Sequence, residues 1–102
     1  MTDRPLGFAT LQVLQAIVAG YAYGFEIMDA TGLPSGTVYP ILSRLEDCGY
    51  LKSKWEDARV ARREKRPPRK SYEITGEGRE VLKRSVEKYR KLQRLVARKA
   101  GL

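Results

Sequence analysis

Residues 35–49, S-G-T-V-Y-P-I-L-S-R-L-E-D-C-G, constrain the fold of this chain more than any other stretch. Ser35 has a side chain that caps helix N-termini well, and Gly49 suits the left-handed residue that follows a helix end. The apolar residues between them recur at helical spacing: Val38, Ile41, Leu42 and Leu45. The stretch therefore predicts a helix with one buried face and an opposite face that begins with small and polar residues.

A small, hydroxyl-bearing helix start lets a flat surface approach the backbone closely. This is what a helix that reads the major groove of DNA requires. An ordinary amphipathic core helix explains the same residues equally well, because such helices are common. The segment by itself leaves both interpretations open.

The residues before this helix predict two further helices and a tight turn. Residues 8–19 place apolar side chains three and four apart and are followed by Gly20, and residues 25–31 form a second, short apolar segment. Residues 32–34, Gly-Leu-Pro, then turn the chain. A short helix, a turn that contains glycine and a longer capped helix are typical of a helix-turn-helix.

After the third helix, the apolar period changes to that of a strand. Residues 50–55 and residues 69–74 both alternate in the manner of half-buried strands. Residues 57–68 between them are rich in arginine and end in two prolines. This pattern predicts a hairpin with a long basic tip, and hence a winged helix. Trp55 and Tyr72, one on each strand, are expected to lie in the core under the wing.

The C-terminal residues predict a long amphipathic helix that Thr75 caps, with acidic residues near its start and basic residues near its end. Its apolar seam is narrow: Leu82, Val86, Tyr89, Leu92, Leu95 and Val96. The seam lies beyond the residues that a winged-helix core needs. We therefore expect it to pack against the same helix, or the first helix, of a second subunit. An interfacial membrane helix fits less well, because the apolar face lacks Trp and Phe.

The predicted fold is mostly α-helical with one small β-hairpin. Residues 1–75 form a winged helix-turn-helix DNA-binding domain and residues 76–102 a dimerisation helix, and together they make one structural unit. The net charge is +8, but residues 1–56 carry −2, whereas residues 57–70 carry +5 and residues 77–102 carry +6. A basic C-terminal half on a nearly neutral front half favours a polyanion partner, most simply nucleic acid.

Composition also excludes several classes. One cysteine, Cys48, gives no disulfide framework and predicts a structural thiol at a helix end. No apolar run approaches the ~18 residues of a membrane span, and no signal-peptide layout precedes the first helix, so a cytoplasmic protein is expected. There is no histidine, no metal-ligand spacing and no phosphate-binding glycine loop. The sequence predicts no metal, no cofactor and no enzymatic activity.

Four motifs resemble the PadR family of bacterial transcriptional regulators. They are Y-G-F-E-I at residues 23–27, G-L-P-S-G-T-V-Y-P-I-L-S-R-L-E at 32–46, G-Y-L at 49–51 and R-P-P-R-K-S-Y-E-I-T-G-E-G at 66–78. The similarity spans about residues 8–82, and the single C-terminal helix resembles the family's short-chain branch. It implies a winged-helix homodimer, built through the first and last helices, that represses promoters at an inverted repeat.

The resemblance also implies residue roles. Residues 35–37 match the start of the recognition helix, Tyr39 matches a tyrosine that contacts the DNA backbone, and Arg44 matches a basic position further along. Residues 69–70 match the basic wing strand. Phe25 stands where a tyrosine is common, which removes any contact through that hydroxyl. The last helix lacks the tryptophan with which multidrug-binding members sandwich planar ligands, which argues against drug sensing.

Seven basic residues within residues 57–70 could neutralise several phosphates, and the arginine fork suits phosphate or a narrow minor groove. The alternative is a solvated loop that binds nothing. We expect affinity from the wing and specificity from the recognition helix, whose single arginine is offset by Glu46 and Asp47. The predicted DNA-binding residues are Ser35, Gly36, Thr37, Tyr39, Ser43, Arg44, Arg59, Arg62, Arg63, Lys65, Arg66, Arg69 and Lys70.

The expected partners are double-stranded DNA, a second copy of the chain and a small-molecule effector of unassigned chemistry. The predicted dimer interface consists of Phe8, Leu11, Leu82, Val86, Tyr89, Leu92 and Val96. A ligand would lie between the subunits, walled by Phe8, Gln12, Gln15, Tyr89, Leu92 and Val96. Two other functions fit the same residues: a winged-helix adaptor that binds another protein, and a sequence-blind architectural DNA-binding protein.

Overall fold

The computed structural model describes residues 6–99. Its elements are, in chain order, α1 Phe8–Val18, α2 Gly24–Thr31, α3 Ser35–Asp47, β1 Leu51–Trp55, α4 Ala58–Arg63, β2 Lys70–Ile74 and α5 Gly76–Lys99. The strands pair antiparallel, with Leu51 opposite Ile74 and Trp55 opposite Lys70. This confirms a mostly helical fold with a β-hairpin, and the predicted bounds of α1, α2 and both strands hold to within one residue.

The apolar stripe of α3 lies in the core, as its spacing predicts. All four of its members, Val38, Ile41, Leu42 and Leu45, are buried. They pack with buried residues of the other helices and the sheet: Leu11, Val13, Leu14, Ala16, Ile17, Ile27, Leu51, Ile74 and Leu82. Each large apolar side chain buried in this way contributes about 1.5–3 kcal/mol to stability. One face of α3 is therefore fully used inside the molecule, and the other is left to solvent.

The start of α3 corrects one detail of the sequence analysis. Ser35 was predicted to be the N-cap, but Pro34 occupies that position. The Pro34 carbonyl accepts hydrogen bonds from the N–H groups of Thr37 and Val38 at 2.9 and 3.0 Å. Ser35 is the first helical residue, and its exposed hydroxyl takes no part in a cap. Gly49 follows the helix end with a φ of +81°, as predicted.

The first half of α5 belongs to the core, contrary to the expectation that the whole seam lies outside it. Val81, Leu82 and Ser85 are buried. The helix approaches the sheet so closely that a Cβ on Gly78 would lie 2.2 Å from the carbonyl oxygen of Tyr50. Thr75 caps the helix as predicted, since its hydroxyl oxygen accepts a hydrogen bond from the Gly78 N–H at 3.0 Å.

The second half of α5 leaves the body of the protein. Leu92, Leu95 and Val96 are 54–63% exposed. Leu11 and Leu82, both predicted for the dimer interface, are instead more than nine-tenths buried within the protomer's own core. They cannot supply an external contact surface, because neighbouring side chains of the same chain already cover them.

Candidate nucleic-acid interface

The start of α3 presents a small polar surface. Ser35 and Gly36 are exposed and Thr37 is half-buried. The first N–H groups of a helix have no partner within the helix, and their positive potential attracts phosphate. Ser43 and Arg44 are exposed further along the same helix. The predicted recognition residues of α3 thus reach the surface, while the apolar stripe holds the helix in place.

Tyr39 packs on α2 and is still 47% exposed. Its ring lies so close to the backbone that a Cβ on Gly24 would come within 2.5 Å of the tyrosine oxygen. Gly24 is therefore required for this ring position. The contact orients a side chain that stays about half exposed.

Glu46 contacts the wing, which revises the expectation that it offsets the charge of α3. Its carboxylate accepts a hydrogen bond from the Ser53 hydroxyl and lies 3.4 Å from the ammonium nitrogen of Lys70. The hydrogen bond from Ser53 is the main reason that the pKa of Glu46 is lowered, with a smaller contribution from Lys70. This contact joins the end of α3 to both strands of the wing.

The wing tip contains the short helix α4, where an open basic loop was predicted. Asp57 caps this helix by accepting a hydrogen bond from the Arg59 N–H at 2.8 Å, and Ala61 is buried. Six residues are too few to show an apolar period. The signal available in the sequence was a good N-cap residue, Asp57, immediately before the A-R-V-A-R-R run.

Arg66 closes the wing, which corrects its assignment as a DNA-binding residue. Its guanidinium donates hydrogen bonds to both carboxylate oxygens of Glu56 at 2.6 and 2.7 Å. The Arg66 side chain is only 19% exposed, and its hydrogen bonds lower the pKa of Glu56. Glu56 also accepts from the Arg69 N–H at 3.2 Å and donates its own N–H to the Arg69 carbonyl at 2.8 Å. The pair holds the two strands together at their tip end.

Arg69 lies over two aromatic rings and has no ion-pair partner within residues 6–99. The other wing cations fall into two groups. Arg59 is paired with Asp57 at 2.9 Å, and Lys70 is held by Glu46. Arg62, Arg63 and Lys65 are exposed and have no ion-pair partner within residues 6–99. No carboxylate of residues 6–99 neutralises these three side chains. Fewer wing cations are therefore available to a phosphate backbone than the composition suggests.

The prediction that Trp55 lies in the core is wrong. Trp55 is 62% exposed, and the Lys70 ammonium lies 5.7 Å from its ring centroid, at the tip end of β1. Cys48 is an exposed free thiol at the end of α3. Tyr72, by contrast, packs against the core and is half-buried, and this burial raises its pKa.

One cluster was missed by sequence analysis. The rings of Tyr23 and Phe25 are stacked, with centroids 5.7 Å apart and an interplanar angle of 9°. The Arg69 guanidinium lies 4.8 Å from the Phe25 centroid and 5.8 Å from that of Tyr23. The Y-x-F spacing was visible in the sequence, but the cation comes from the wing, far along the chain. Only the pairing of β2 with the segment before α2 brings them together.

Within residues 6–99, no group of three or more His, Cys, Asp or Glu side chains is placed to hold a metal ion. No helix of that part of the chain is long and apolar enough to cross a membrane.

Comparison with known proteins connects this surface to a family. Residues 13–84 match the Transcriptional regulator PadR-like family. A PadR family transcription regulator from Clostridium difficile R20291 has 23% sequence identity and a TM-score of 0.78, over 90% of this chain and 97% of that one. A transcriptional regulator from Clostridium thermocellum has 25% identity and a TM-score of 0.74, over 90% and 89% of the two chains.

A more distant neighbour is Bordetella bronchiseptica BpsR, whose structure concerns regulation of its DNA binding by 6-hydroxynicotinic acid. It has 21% identity and a TM-score of 0.73, over 95% of this chain and 69% of that one. No curated protein sequence matched this chain.

Proposed function

This chain belongs to the PadR-like family of DNA-binding transcriptional regulators, and we propose that it represses a promoter by binding an inverted repeat as a homodimer. One observation carries the proposal: the polar start of α3 is exposed on a molecule whose wing has four basic residues without an ion-pair partner in residues 6–99, namely Arg62, Arg63, Lys65 and Arg69. A regulator of this kind acts on chromosomal DNA. We accordingly propose that it works in the cytoplasm and has no enzymatic activity.

The two parts of this surface have different tasks. Ser35, Thr37, Ser43 and Arg44 present hydroxyl and guanidinium groups to base edges, where sequence is read. The unpaired wing cations contact phosphates, which supplies affinity without sequence information. Because Arg66 and Lys70 are occupied by Glu56 and Glu46, the wing contributes fewer phosphate contacts than its seven basic residues suggest.

The homodimer is supported by the exposed apolar side chains at the two ends of the proposed interface. Phe8 on α1 is 63% exposed, and Leu92, Leu95 and Val96 on α5 are exposed to a similar degree. Large apolar side chains that recur along one helix face favour burial against another protein surface. A two-fold dimer would place two copies of α3 on one DNA duplex, and this symmetry is the reason for expecting an inverted repeat.

A small-molecule effector would lie beside this interface. The rings of Phe8 and Tyr89 meet edge to face with centroids 5.9 Å apart, and Gln12 and Gln15 lie on the same helix as Phe8. BpsR is a neighbour whose DNA binding is regulated by a planar aromatic acid. A panel of planar aromatic compounds tests the site, and Tyr89→Leu should abolish any change in tyrosine fluorescence that a binder causes.

The decisive experiment is selection of random duplexes on the purified protein at physiological salt, followed by sequencing. We expect enrichment of an inverted repeat with half-sites about one helical turn apart. Retention without enrichment would instead indicate a sequence-blind architectural protein. Failure to retain any duplex would contradict the proposal and favour an adaptor that binds another protein.

Two substitutions test the division of tasks. Arg63→Ala should weaken binding to specific and random duplexes alike. It should also lower the slope of log affinity against log salt concentration by about one per protomer. Arg44→Ala should reduce discrimination at particular bases by about 1–3 kcal/mol while random binding changes less. Equal losses on both duplexes for both variants would show that the two regions share one task.

A further inference from the structure

We propose that the stacked rings of Tyr23 and Phe25 form a platform that positions Arg69, and that Arg69 binds a DNA phosphate from this platform. The inference rests on the proposed function, because it concerns the same DNA-binding face. It gives the two rings a role in affinity that requires no contact between them and DNA.

The platform is fixed to the wing by its backbone. The Glu26 carboxylate accepts hydrogen bonds from the N–H groups of Ala22 and Tyr23 at 3.1 and 3.2 Å. The N–H of Tyr72 donates to the Ala22 carbonyl at 2.8 Å, and Tyr23 forms a β-bridge with Ser71. The segment before α2 is therefore paired with β2 through its backbone at this point. Its rings are held next to Arg69, the residue immediately before β2.

Both the backbone and the guanidinium of Arg69 are held in place by neighbouring residues. The N–H of Arg69 donates to the Glu56 carboxylate at 3.2 Å, and the carbonyl of Arg69 accepts from the Glu56 N–H at 2.8 Å. These two hydrogen bonds fix the backbone. The guanidinium lies over the two rings at 4.8 and 5.8 Å, within the range of a cation–π contact. Stacking on a ring face leaves the in-plane N–H donors of a guanidinium unused. Within residues 6–99 those donors have no hydrogen-bond acceptor.

Arg66, three residues earlier, shows the opposite arrangement. Its donors are occupied by Glu56 and Glu64, so a phosphate could reach them only by breaking the ion pairs. Arg69 is instead held against an aromatic surface that does not compete for hydrogen bonds. An arginine that is already ordered loses less rotamer freedom when it binds, which increases affinity.

A double-mutant cycle tests the platform. The affinities of wild type, Phe25→Leu, Arg69→Ala and the double variant are measured over a range of salt concentrations, on the selected duplex and on a random duplex of equal length. Arg69→Ala should weaken binding about ten-fold per half-site and lower the salt slope by about one per protomer. Phe25→Leu should weaken it about three-fold per half-site. Both losses should be equal on the two duplexes, because phosphate contacts are independent of sequence.

The double variant should bind no more weakly than Arg69→Ala alone. Phe25→Tyr, which keeps the ring, should bind at least as tightly as wild type, and the thermal midpoints of all variants are compared to show that they are folded. The inference is overturned if Phe25→Leu lowers duplex affinity as much in the Arg69→Ala variant as in the wild type. It is also overturned if Phe25→Leu changes affinity in neither protein. Those outcomes leave the proposed function standing, since wild type still binds. A wild-type protein that binds no duplex would overturn both.

Discussion

The helices α3 and α5 are both amphipathic, but they use their apolar faces differently. All four apolar stripe residues of α3 are buried within the protomer, from Val38 at its start to Leu45 near its end. On α5, Val81 and Leu82 are buried, whereas Leu95 and Val96 stay exposed. The surface that α3 leaves outside is polar and suits nucleic acid, and the surface that α5 leaves outside is partly apolar and suits protein. The chemical character of the face that a helix leaves exposed thus indicates which kind of partner can bind there.

Breaking the buried side of α3 should have the largest effect. Leu42→Ala removes a fully buried side chain from the centre of the core and should lower the free energy of unfolding by about 2–5 kcal/mol. Urea denaturation measures this loss. Ser43→Ala is the matched control, because it lies exposed on the same helix and should change stability by less than about 0.5 kcal/mol. Equal effects of the two substitutions would contradict the burial pattern of α3.

The entry of α5 into the core should be the next most sensitive point. The Cβ introduced by Gly78→Ala would meet the Tyr50 carbonyl at 2.2 Å, so the backbone must move, at a cost of about 1–3 kcal/mol. At Gly76, two residues earlier, nothing lies within 4 Å of the added methyl group. Gly76→Ala should therefore leave stability unchanged or raise it by up to about 1 kcal/mol. A thermal denaturation series that ranks the two variants in the reverse order would show that α5 does not dock as described.

The exposed end of α5 should matter for assembly more than for folding. Leu95→Glu places a charge on the apolar seam and should weaken the proposed homodimer at least about ten-fold, or about 1.4 kcal/mol. Sedimentation over a range of concentrations measures the dissociation constant. Gln93→Glu adds the same charge at a neighbouring exposed position and should leave the constant unchanged. If both variants associate as wild type does, the seam is not the interface.

The smallest expected effect concerns the link between α3 and the wing. Because the folded-state pKa of Glu46 is lowered, its ionised form stabilises the protein above its ordinary pKa of 4.5, and this contribution is lost as the pH falls through the folded-state value. Glu46→Gln should therefore reduce stability at pH 7 by less than about 1 kcal/mol, because a third of the side chain is exposed.

The difference between Glu46→Gln and wild type should narrow below pH 4.5. Asp47→Asn makes the same charge change on an exposed neighbour and serves as the control. A difference that stays constant from pH 7 to acid would contradict a role for the ionised carboxylate.

Much of the fold could be predicted from sequence because its signals are local. The spacing of Val38, Ile41 and Leu42 predicted a buried helix face, and Thr75 marked the cap of α5. The cap of α3 was misplaced by one residue. A serine side chain and a proline carbonyl can satisfy the same N–H groups, and composition does not decide between them.

The candidate site was predicted less completely, because charge alone does not say which cations are paired. Arg63 and Arg66 looked equivalent in the sequence, yet Arg66 is joined to Glu56 and Arg63 is not. The exposure of Trp55 could not be read from strand alternation, since alternation gives a face but not how far the core extends beneath it.

The sequence by itself determined most of the elements of this protein and their order, because periodicity and helix-capping residues act over a few neighbouring positions. The short helix α4 and the register of the hairpin became visible only in the structure. Only the tertiary structure decided which cations remain unpaired, since the partners of Lys70 and Arg69 come from α3 and from the start of α2, more than 20 positions away. The tertiary structure also decided where burial along α5 ends, because only the part of α5 that packs against the rest of the chain is buried. Ion pairing and burial depend on distances in space, and folding sets those distances only once the hairpin and the helices have packed together.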